Sequence, residues 1–263
     1  MKRDGHIHSP YCPHGTTDTF EQYIEKAIQQ GFTDISFTEH APAPNGFFDT
    51  TPEKDSFMTM EQFHQYIAHL STLKEQYKHK IRIRIGLEID FIEGYEQQTT
   101  AFLNTYGPML DDAILSVHFL KYKNDYVCID FSEDLFIDFA KQVGSVENVY
   151  KLYYDTVQQS IRTSLGAYKP KRIGHPTLVH KFQLAHGEKI DDDTAIRQTL
   201  SLMREFNLEL DVNSAGLAKK HCQESYPPPR YVAFANELHI PIVFGSDAHQ
   251  AKDLHQFYDT VFN

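Results

Sequence analysis

Histidine and acidic side chains recur in this sequence at spacings that suit metal binding. His6 and His8 form a His-x-His pair, and Asp247 and His249 repeat that spacing near the other end of the chain. Residues two apart in a β-strand project to the same side, so each pair could chelate one ion. Seven histidines and two acidic residues lie in such short motifs: His6, His8, His14, His40, Glu88, His118, His175, Asp247 and His249.

These candidate ligands are imidazoles and carboxylates, which suit zinc, manganese or iron rather than calcium. Nine ligands are too many for one four- to six-coordinate ion, but enough for two or three divalent ions that share carboxylates. Three such ions would change the formal charge from −11 to −5 and concentrate positive charge where a phosphate could bind. Cys12, close to His14, could also bind metal, but we expect it to be a small, buried apolar residue.

The composition argues against several classes of protein. The 25 basic and 36 acidic residues do not suit a nucleic-acid-binding protein that neutralises phosphates. No stretch approaches the roughly 20 apolar residues of a membrane-spanning helix, and the N-terminus has no apolar signal core. The three cysteines lie far apart, which favours a reducing compartment. We expect a cytoplasmic protein without a nucleic-acid or membrane partner, and the oligomeric state stays open.

Seven strand-like runs alternate with helical patterns and place the candidate ligands at strand ends. The runs are 3–8, 34–40, 81–91, 113–118, 171–175, 208–213 and 241–247. This alternation predicts βαβ units and a mainly parallel α/β sheet, either a barrel or doubly wound. Asp18 with Glu21 predicts the start of the first helix, and Thr59 with Gln62 predicts a capping box for the second. We expect two segments, 41–57 and 119–130, to act as lids.

The pattern within the strands favours the barrel. Between residues 81 and 91, odd positions are apolar and even positions are polar or glycine. A barrel strand packs its apolar face on the outer helices and would aim Glu88 at the axis, whereas a doubly wound sheet should give continuous apolar runs. The same alternation places Asp4 on the face of His6 and His8. His175 precedes Pro176, which favours an extended backbone at a strand end.

Six short motifs occur in an order that is typical of one superfamily. They are Asp4-Gly5-His6-Ile7-His8, Thr38-Glu39-His40, Gly86-Leu87-Glu88, Ser116-Val117-His118, Gly174-His175-Pro176 and Gly245-Ser246-Asp247-Ala248-His249. Together they resemble the polymerase and histidinol phosphatase (PHP) superfamily over residues 4–249. Segments 6–15, 37–42 and 213–217 are similar to its histidinol-phosphate phosphatases of histidine biosynthesis.

The resemblance implies one domain over residues 1–263, a distorted TIM-like barrel of seven strands with a trinuclear metal centre at their C-terminal ends. By motif, the first ion would be held by His6, His8, Glu88 and Asp247. Glu88 would bridge to a second ion on His118 and His175, and a third would lie on His14, His40 and His249. The implied activity is metal-dependent hydrolysis of L-histidinol phosphate to L-histidinol and phosphate. A hydroxide that bridges two ions would attack phosphorus.

Three further residues are candidates for the reaction. Arg172, three residues before His175, could hold the phosphate bidentately, or it could form a structural ion pair. Asp4, Asp247 or a metal-bound histidine could protonate the leaving alkoxide, although Asp4 could equally orient a ligand. Asn213 could touch the substrate or make a hydrogen bond at the barrel rim.

Other functions remain open at this point. The substrate could be another small phosphomonoester or a nucleotide, or the chain could be a non-catalytic metal-binding module that docks on a partner. An amidohydrolase is a further alternative, but it normally needs a carbamylated lysine at mid-barrel, where Glu88 lies. Chelator-sensitive turnover of an aryl phosphate would distinguish a phosphatase from a binding module.

Overall fold

A sheet of seven parallel strands forms the centre of the computed structural model, which describes residues 2–262. The strands in chain order are β1 (Arg3–Ile7), β2 (Asp34–His40), β3 (Arg82–Asp90), β4 (Asp112–Ser116), β5 (Phe119–Tyr122), β6 (Asp125–Cys128), β7 (Arg172–Ile173), β8 (Glu209–Asn213) and β9 (Ile242–Gly245). Their order in the sheet is β1-β2-β3-β4-β7-β8-β9, while β5 and β6 form a separate antiparallel hairpin.

The first and last strands close this sheet into a nearly complete barrel. Ile7 and Ala248 pair in a parallel bridge just beyond the end of β9. The Asp247 amide donates to the His6 carbonyl at 2.8 Å, and the His8 amide donates to the Ala248 carbonyl at 3.1 Å. The predicted α/β barrel of seven strands is confirmed.

Helices cover the outside of the barrel. They are α1 (Phe20–Gln29), α2 (Met60–Tyr77), α3 (Glu96–Tyr106), α4 (Glu133–Val143), α5 (Val146–Arg162), α6 (Gln183–His186), α7 (Asp193–Glu205), α8 (Pro229–Glu237) and α9 (Tyr258–Val261). Apolar residues of α1 show the packing, since Phe20 and Tyr23 are buried with their rings 4.9 Å and 6.0 Å from the ring of Phe37 on β2. Within residues 2–262, every helix is too short or too polar to cross a bilayer.

The predicted N-terminal cap of α2 is confirmed, whereas the cap of α1 lies one residue after the predicted one. The capping box of Thr59 and Gln62 begins α2, as predicted. Thr19, rather than Asp18, caps α1, and its capping box partner is Gln22. The predicted cap is wrong because the Asp18 carboxylate accepts a hydrogen bond from the Ala251 amide at 2.8 Å instead.

Ion pairs fill the N-terminal end of the barrel interior. The Asp112 carboxylate accepts hydrogen bonds from Arg3 at 2.6 Å, Ser36 at 2.6 Å and Arg172 at 2.9 Å. Arg172 is only 1% exposed, and it also donates to the Gly5 carbonyl at 2.8 Å. This end of the barrel is therefore filled by paired charged groups, which leaves the opposite end for a site.

Strand β1 departs from the regular alternation that the sequence suggested. Its pairing with β2 shifts register after Asp4. A Cβ atom on Gly5 would lie 2.5 Å from Arg172 Nη1, so Gly5 faces the barrel interior. The Asp4 carboxylate instead contacts His255 Nδ1 at 2.9 Å and the Ser246 amide at 3.1 Å. The prediction that Asp4 shares the face of the two motif histidines is wrong, because a bulge re-aims side chains on its strand.

The two predicted lid segments lie against each other beside the C-terminal ends of the strands. Residues 41–57 form an irregular loop, and residues 119–130 contain the β5–β6 hairpin. The Phe47 ring lies 5.3 Å from the rings of both Phe119 and Tyr126. These contacts form a small apolar cluster of their own. Movement of these segments stays a prediction.

Candidate metal centre

All nine candidate ligands cluster at the C-terminal ends of the strands, and seven of them line one cavity. Four groups each bring their ligand atoms within 4.8 Å of one another: His6, His8 and Asp247; Glu88, His118 and His175; His40, Asp90 and His118; and His8, Cys12, His40 and His249. His14 joins at the edge, where its Nε2 lies 3.1 Å from Nε2 of His249. The barrel thus brings together residues from nearly the full length of the chain.

Glu88 lies at the centre of these groups. Five imidazole nitrogens approach its carboxylate: His175 at 2.9 Å, His40 at 3.3 Å, His6 at 3.4 Å, His8 at 3.5 Å and His118 at 3.7 Å. The Ser116 hydroxyl also donates to it at 2.6 Å. A buried carboxylate shared by so many imidazoles is placed to bridge two cations.

Buried carboxylates contact the Nδ1 atoms of the His6 and His8 imidazoles, opposite the Nε2 atoms that could bind metal. Asp211 lies 2.9 Å from His6 Nδ1, and Glu39 lies 2.9 Å from His8 Nδ1. Such partners favour the Nδ1–H tautomer and leave the Nε2 lone pair directed at the cavity. Asp90 has the same relation to His118, at 2.8 Å from its Nδ1.

The remaining nitrogens test whether metal ions fit this site. Nε2 of His6 and Nε2 of His8 are buried and have no hydrogen-bond partner among the described residues. Both approach carboxylate oxygens of Glu88 and Asp247, at 3.1 to 3.6 Å. An imidazole lone pair that faces a carboxylate is repelled unless a cation lies between them. The donor atoms therefore fit divalent metal ions bound between imidazoles and carboxylates.

The pKa shifts show how strongly these groups depend on positive charge. Burial lowers the pKa of His6, but Asp211, Asp247 and Glu88 outweigh it and hold that pKa well above its usual value. Burial raises the pKa of Glu88, but His6 and His118 bring it well below the usual value. The carboxylates are thus ionised, and their charge must be balanced by protons or metal ions on the histidines.

Two of the candidate ligands have left-handed backbone conformations. The φ angle of Asp247 is 52° and that of His175 is 21°. The predicted extended conformation of His175 is therefore wrong, although its ring still reaches Glu88. Strained backbone of this kind persists where the surrounding structure holds it and is common at functional sites.

None of the other three predicted residues lines the cavity. Asn213 is fully buried, and its Nδ2 donates to Asp247 Oδ2 at 3.1 Å, so it positions a candidate ligand. Arg172 is bound to Asp112 at the opposite end of the barrel, and it does not line the cavity. Its position supports the structural ion pair rather than contact with a phosphate. Asp4 does not line the cavity either.

The cavity has a volume of about 550 Å³, which suits a small metabolite. Beyond the candidate ligands, its lining includes Lys181 and Lys219, and carboxylates of Glu53, Asp55 and Asp253. Lys181 is paired with Asp130 at 2.9 Å. Nothing in the sequence pattern distinguished these residues from surface charges, because they lie in loops and short turns.

Sequence reasoning also missed the carboxylates that orient the imidazoles, although two signals were present. Glu39 interrupts the apolar face of β2, where Ile35 and Phe37 precede it at alternate positions. Asp211 lies on the polar face of β8. A buried carboxylate at such a position needs a partner, and a metal-binding histidine is one that it commonly has.

Comparisons with known proteins agree with this geometry. The PHP domain model matches residues 4–215. The chain is 46% identical to the histidinol-phosphatase of Bacillus subtilis, over 98% of this chain and 97% of that relative. It superposes on a candidate histidinol phosphatase from Listeria monocytogenes with a TM-score of 0.92 and 38% identity, over 98% of this chain and 99% of that one.

A more distant likeness concerns the fold alone. The histidinol phosphate phosphatase of Lactococcus lactis, solved with zinc, L-histidinol and phosphate, matches with a TM-score of 0.73 and 19% identity. That match covers 99% of this chain and 92% of the other. Because the family model spans most of the chain and a relative of nearly equal length shares almost half of its residues, the chain belongs to the PHP domain family.

Proposed function

We propose that this protein is a metal-dependent phosphomonoesterase that hydrolyses L-histidinol phosphate to L-histidinol and phosphate in histidine biosynthesis. The observation that carries the proposal is the shared carboxylate of Glu88, approached by five imidazoles beside a cavity of metabolite size. The similarity to the Bacillus subtilis histidinol-phosphatase supports the choice of substrate. The Lactococcus lactis protein of the same fold holds L-histidinol and phosphate.

The proposed centre holds two or three divalent ions of zinc, iron or manganese. The ligands would be His6, His8, Glu88 and Asp247 for the first ion, Glu88, His118 and His175 for the second, and His14, His40 and His249 for the third. Bound ions would neutralise phosphoryl oxygens and lower the pKa of the attacking water. The groups of close ligand atoms support this assignment, and zinc is present in the Lactococcus lactis structure.

The chain's own residues fix the geometry of this centre. Glu39 and Asp211 each hold one imidazole from behind, and Asn213 holds one oxygen of Asp247. Burial raises the pKa of Asp247, but His6 and His8 keep it well below the usual value. An ionised Asp247 serves as a ligand rather than as the acid that protonates the leaving alkoxide. Asp4 cannot serve as that acid either, since it does not line the cavity.

Charges around the cavity suit a substrate with an anionic and a cationic end. Lys181 and Lys219 would contact the phosphate, the role expected of Arg172 from the sequence. Glu53, Asp55 and Asp253 line the same cavity, and Glu53 is exposed at its rim. Their carboxylates would attract the amine and imidazole of L-histidinol phosphate.

Domain organisation and location form part of the same proposal. We propose one domain over residues 1–263, since strands from Arg3 to Gly245 share a single sheet. The cysteines at 12, 128 and 222 are buried and unpaired, which supports the cytoplasm. The partner is a small phosphorylated metabolite, with no nucleic acid or membrane involved.

Phosphate release from L-histidinol phosphate and from a panel of other phosphomonoesters tests this proposal, with bound metal counted beforehand. Glu88→Gln should lower kcat/KM at least roughly 100-fold, because the amide cannot bridge two ions. Glu205→Gln, an exposed change on α7, is the matched control and should leave kcat/KM unchanged. Equal turnover of the whole panel would contradict the substrate, and inactivity of fully loaded protein would contradict the phosphatase.

A further inference from the structure

We propose that the Cys12 sulfur is a fourth ligand of the ion assigned to His14, His40 and His249. This inference rests on the proposed metal centre, and it identifies a sulfur ligand for the third of the proposed ions. The sequence alone favoured a small apolar role for this residue. Its surroundings in the fold favour a metal ligand.

The Cys12 thiol lies among imidazoles rather than among apolar side chains. Its Sγ belongs to a group in which the ligand atoms of His8, His40 and His249 all lie within 4.8 Å of one another and of the sulfur. Cys12 is 7% exposed, so the thiol is sheltered from solvent. Four close ligand atoms of these types match the nitrogen and sulfur sites that bind zinc.

The local backbone holds Cys12 and His14 together at the edge of the cavity. The Cys12 amide donates to the Ser9 carbonyl at 3.0 Å, and the Gly15 amide donates to the Cys12 carbonyl at 3.1 Å. Successive turns in this short segment keep both side chains near His249, whose Nε2 lies 3.1 Å from Nε2 of His14. His249 therefore lies beside both the Cys12 sulfur and the His14 imidazole.

Two imidazole nitrogens in the same group lack hydrogen-bond partners, which is consistent with a cation as their partner. Nε2 of His8 and Nδ1 of His40 are buried without a hydrogen-bond partner among the described residues, and the His40 nitrogen lies 3.3 Å from the Glu88 carboxylate. His8 Nε2 lies 3.1 Å from Asp247, which assigns it to the first ion. The sulfur, His40 and His249 then remain from the close group, and His14 beside His249 would be the fourth ligand, which gives the coordination number that zinc prefers.

A thiolate would make this position chemically different from the other two. The first and second ions would have only imidazole and carboxylate ligands, which accept zinc, iron or manganese. A sulfur ligand favours zinc or cobalt over manganese. The centre would therefore bind manganese fully at two positions and retain zinc at the third.

Cobalt substitution tests the inference through a spectroscopic signal that does not depend on activity. A thiolate bound to cobalt(II) gives a charge-transfer band in the near ultraviolet, which imidazole and carboxylate ligands do not. We expect this band in cobalt-loaded protein, its complete loss in Cys12→Ser, and at least roughly tenfold weaker binding of one zinc ion. Cys128→Ser is the matched control, because Cys128 is also buried at the cavity but donates to Asp130 at 3.3 Å and should keep the band.

If the Cys12→Ser variant does not fold, thiol labelling of the wild-type protein tests the same inference. Peptide mapping should show Cys12 protected in zinc-loaded protein and labelled after chelation, with Cys128 labelled equally in both. Full cobalt loading without the band, or equal labelling of Cys12 in both states, would overturn the inference alone. Failure to bind any cobalt or zinc would overturn the proposed function with it.

Discussion

Residues behind the metal ligands determine how well the centre is held. Glu39 shows this, because one carboxylate oxygen contacts His8 Nδ1 and the other accepts from the Ser9 amide at 2.8 Å and hydroxyl at 2.6 Å. Burial raises the pKa of Glu39, but the positive charge of His8 lowers it to about 2. The carboxylate is therefore ionised throughout the neutral range and strengthens His8 as a ligand.

Glu39→Gln should weaken metal binding by roughly 10- to 100-fold. The amide keeps the shape of the side chain but loses the charge that fixes the imidazole proton on Nδ1. Competition with a chromogenic chelator measures this change directly. Glu205→Gln is the control, and equal affinities in the two variants would show that Glu39 does not support the centre.

We expect Arg172 to contribute to folding stability and Lys219 to contribute to substrate binding. Arg172→Met leaves the half-buried Asp112 with one positive partner fewer and should lower the free energy of unfolding by about 3 kcal/mol. Lys219→Met should raise KM for the phosphoester with little effect on stability, because Lys219 is an exposed side chain at the cavity. Urea unfolding and steady-state kinetics on both variants separate the effects. A raised KM in a stable Arg172→Met variant would restore its role as a phosphate ligand.

At the level of secondary-structure elements, a buried charged cluster supports one wall of the cavity. His180 lies in the short 3₁₀ turn after β7, and its Nδ1 contacts Glu224 while its Nε2 contacts Asp192 at 2.6 Å. Tyr154 on α5 also donates to Asp192, at 2.5 Å. The cluster ties this turn to the start of α7 and to the loop before α8, and it carries Lys181 at the cavity.

This cluster should make stability depend on pH. Burial lowers the pKa of His180, but Asp192 and Glu224 raise it to about 9, above the unfolded value of 6.5. The stabilisation is therefore complete below about pH 6.5 and is lost as the pH rises through 9. His180→Gln should cost about 3 kcal/mol at pH 6 and much less at pH 10 in urea unfolding.

A matched variant separates this effect from titration of the metal centre. His79→Gln changes an exposed histidine just beyond α2 and should follow the wild type at every pH. A cost of His180→Gln that stays constant from pH 6 to pH 10 would contradict the assignment of a charged His180.

The alternation of side chains predicted where the strands lie and which of their faces are polar, because that period depends only on local backbone geometry. It could not predict the bulge that turns Asp4 toward His255, nor the turn at His175, since both depend on contacts between distant segments. Arg172 shows a third limit. Its position three residues before His175 suggested a place near the site, but its partner Asp112 comes from another strand, and periodicity within one strand cannot predict such a partner.

For the whole molecule, metal binding should contribute a large part of the stability. A ligand that binds only the folded state at 100 times its dissociation constant adds about 2.7 kcal/mol. Chelation should therefore lower Tm by roughly 5–10 °C for each tightly bound ion. Thermal scans with and without chelator, followed by zinc addition, measure the loss and its recovery. An unchanged Tm after verified metal removal would contradict this coupling.

The seam between β1 and β9 has a further consequence during synthesis. The residues that close the barrel include three of the candidate ligands, His6, His8 and Asp247, and the two halves of the seam are about 240 positions apart in the chain. At 5–20 residues per second, the second half leaves the ribosome on the order of 10–50 s after the first. During that interval, His6 and His8 lack the strand that pairs with β1 to close the barrel. A polypeptide released before residue 247 would contain most of the candidate ligands, but it could neither close the barrel nor complete the metal centre. Metal binding at the full centre therefore requires that translation has passed the last strand.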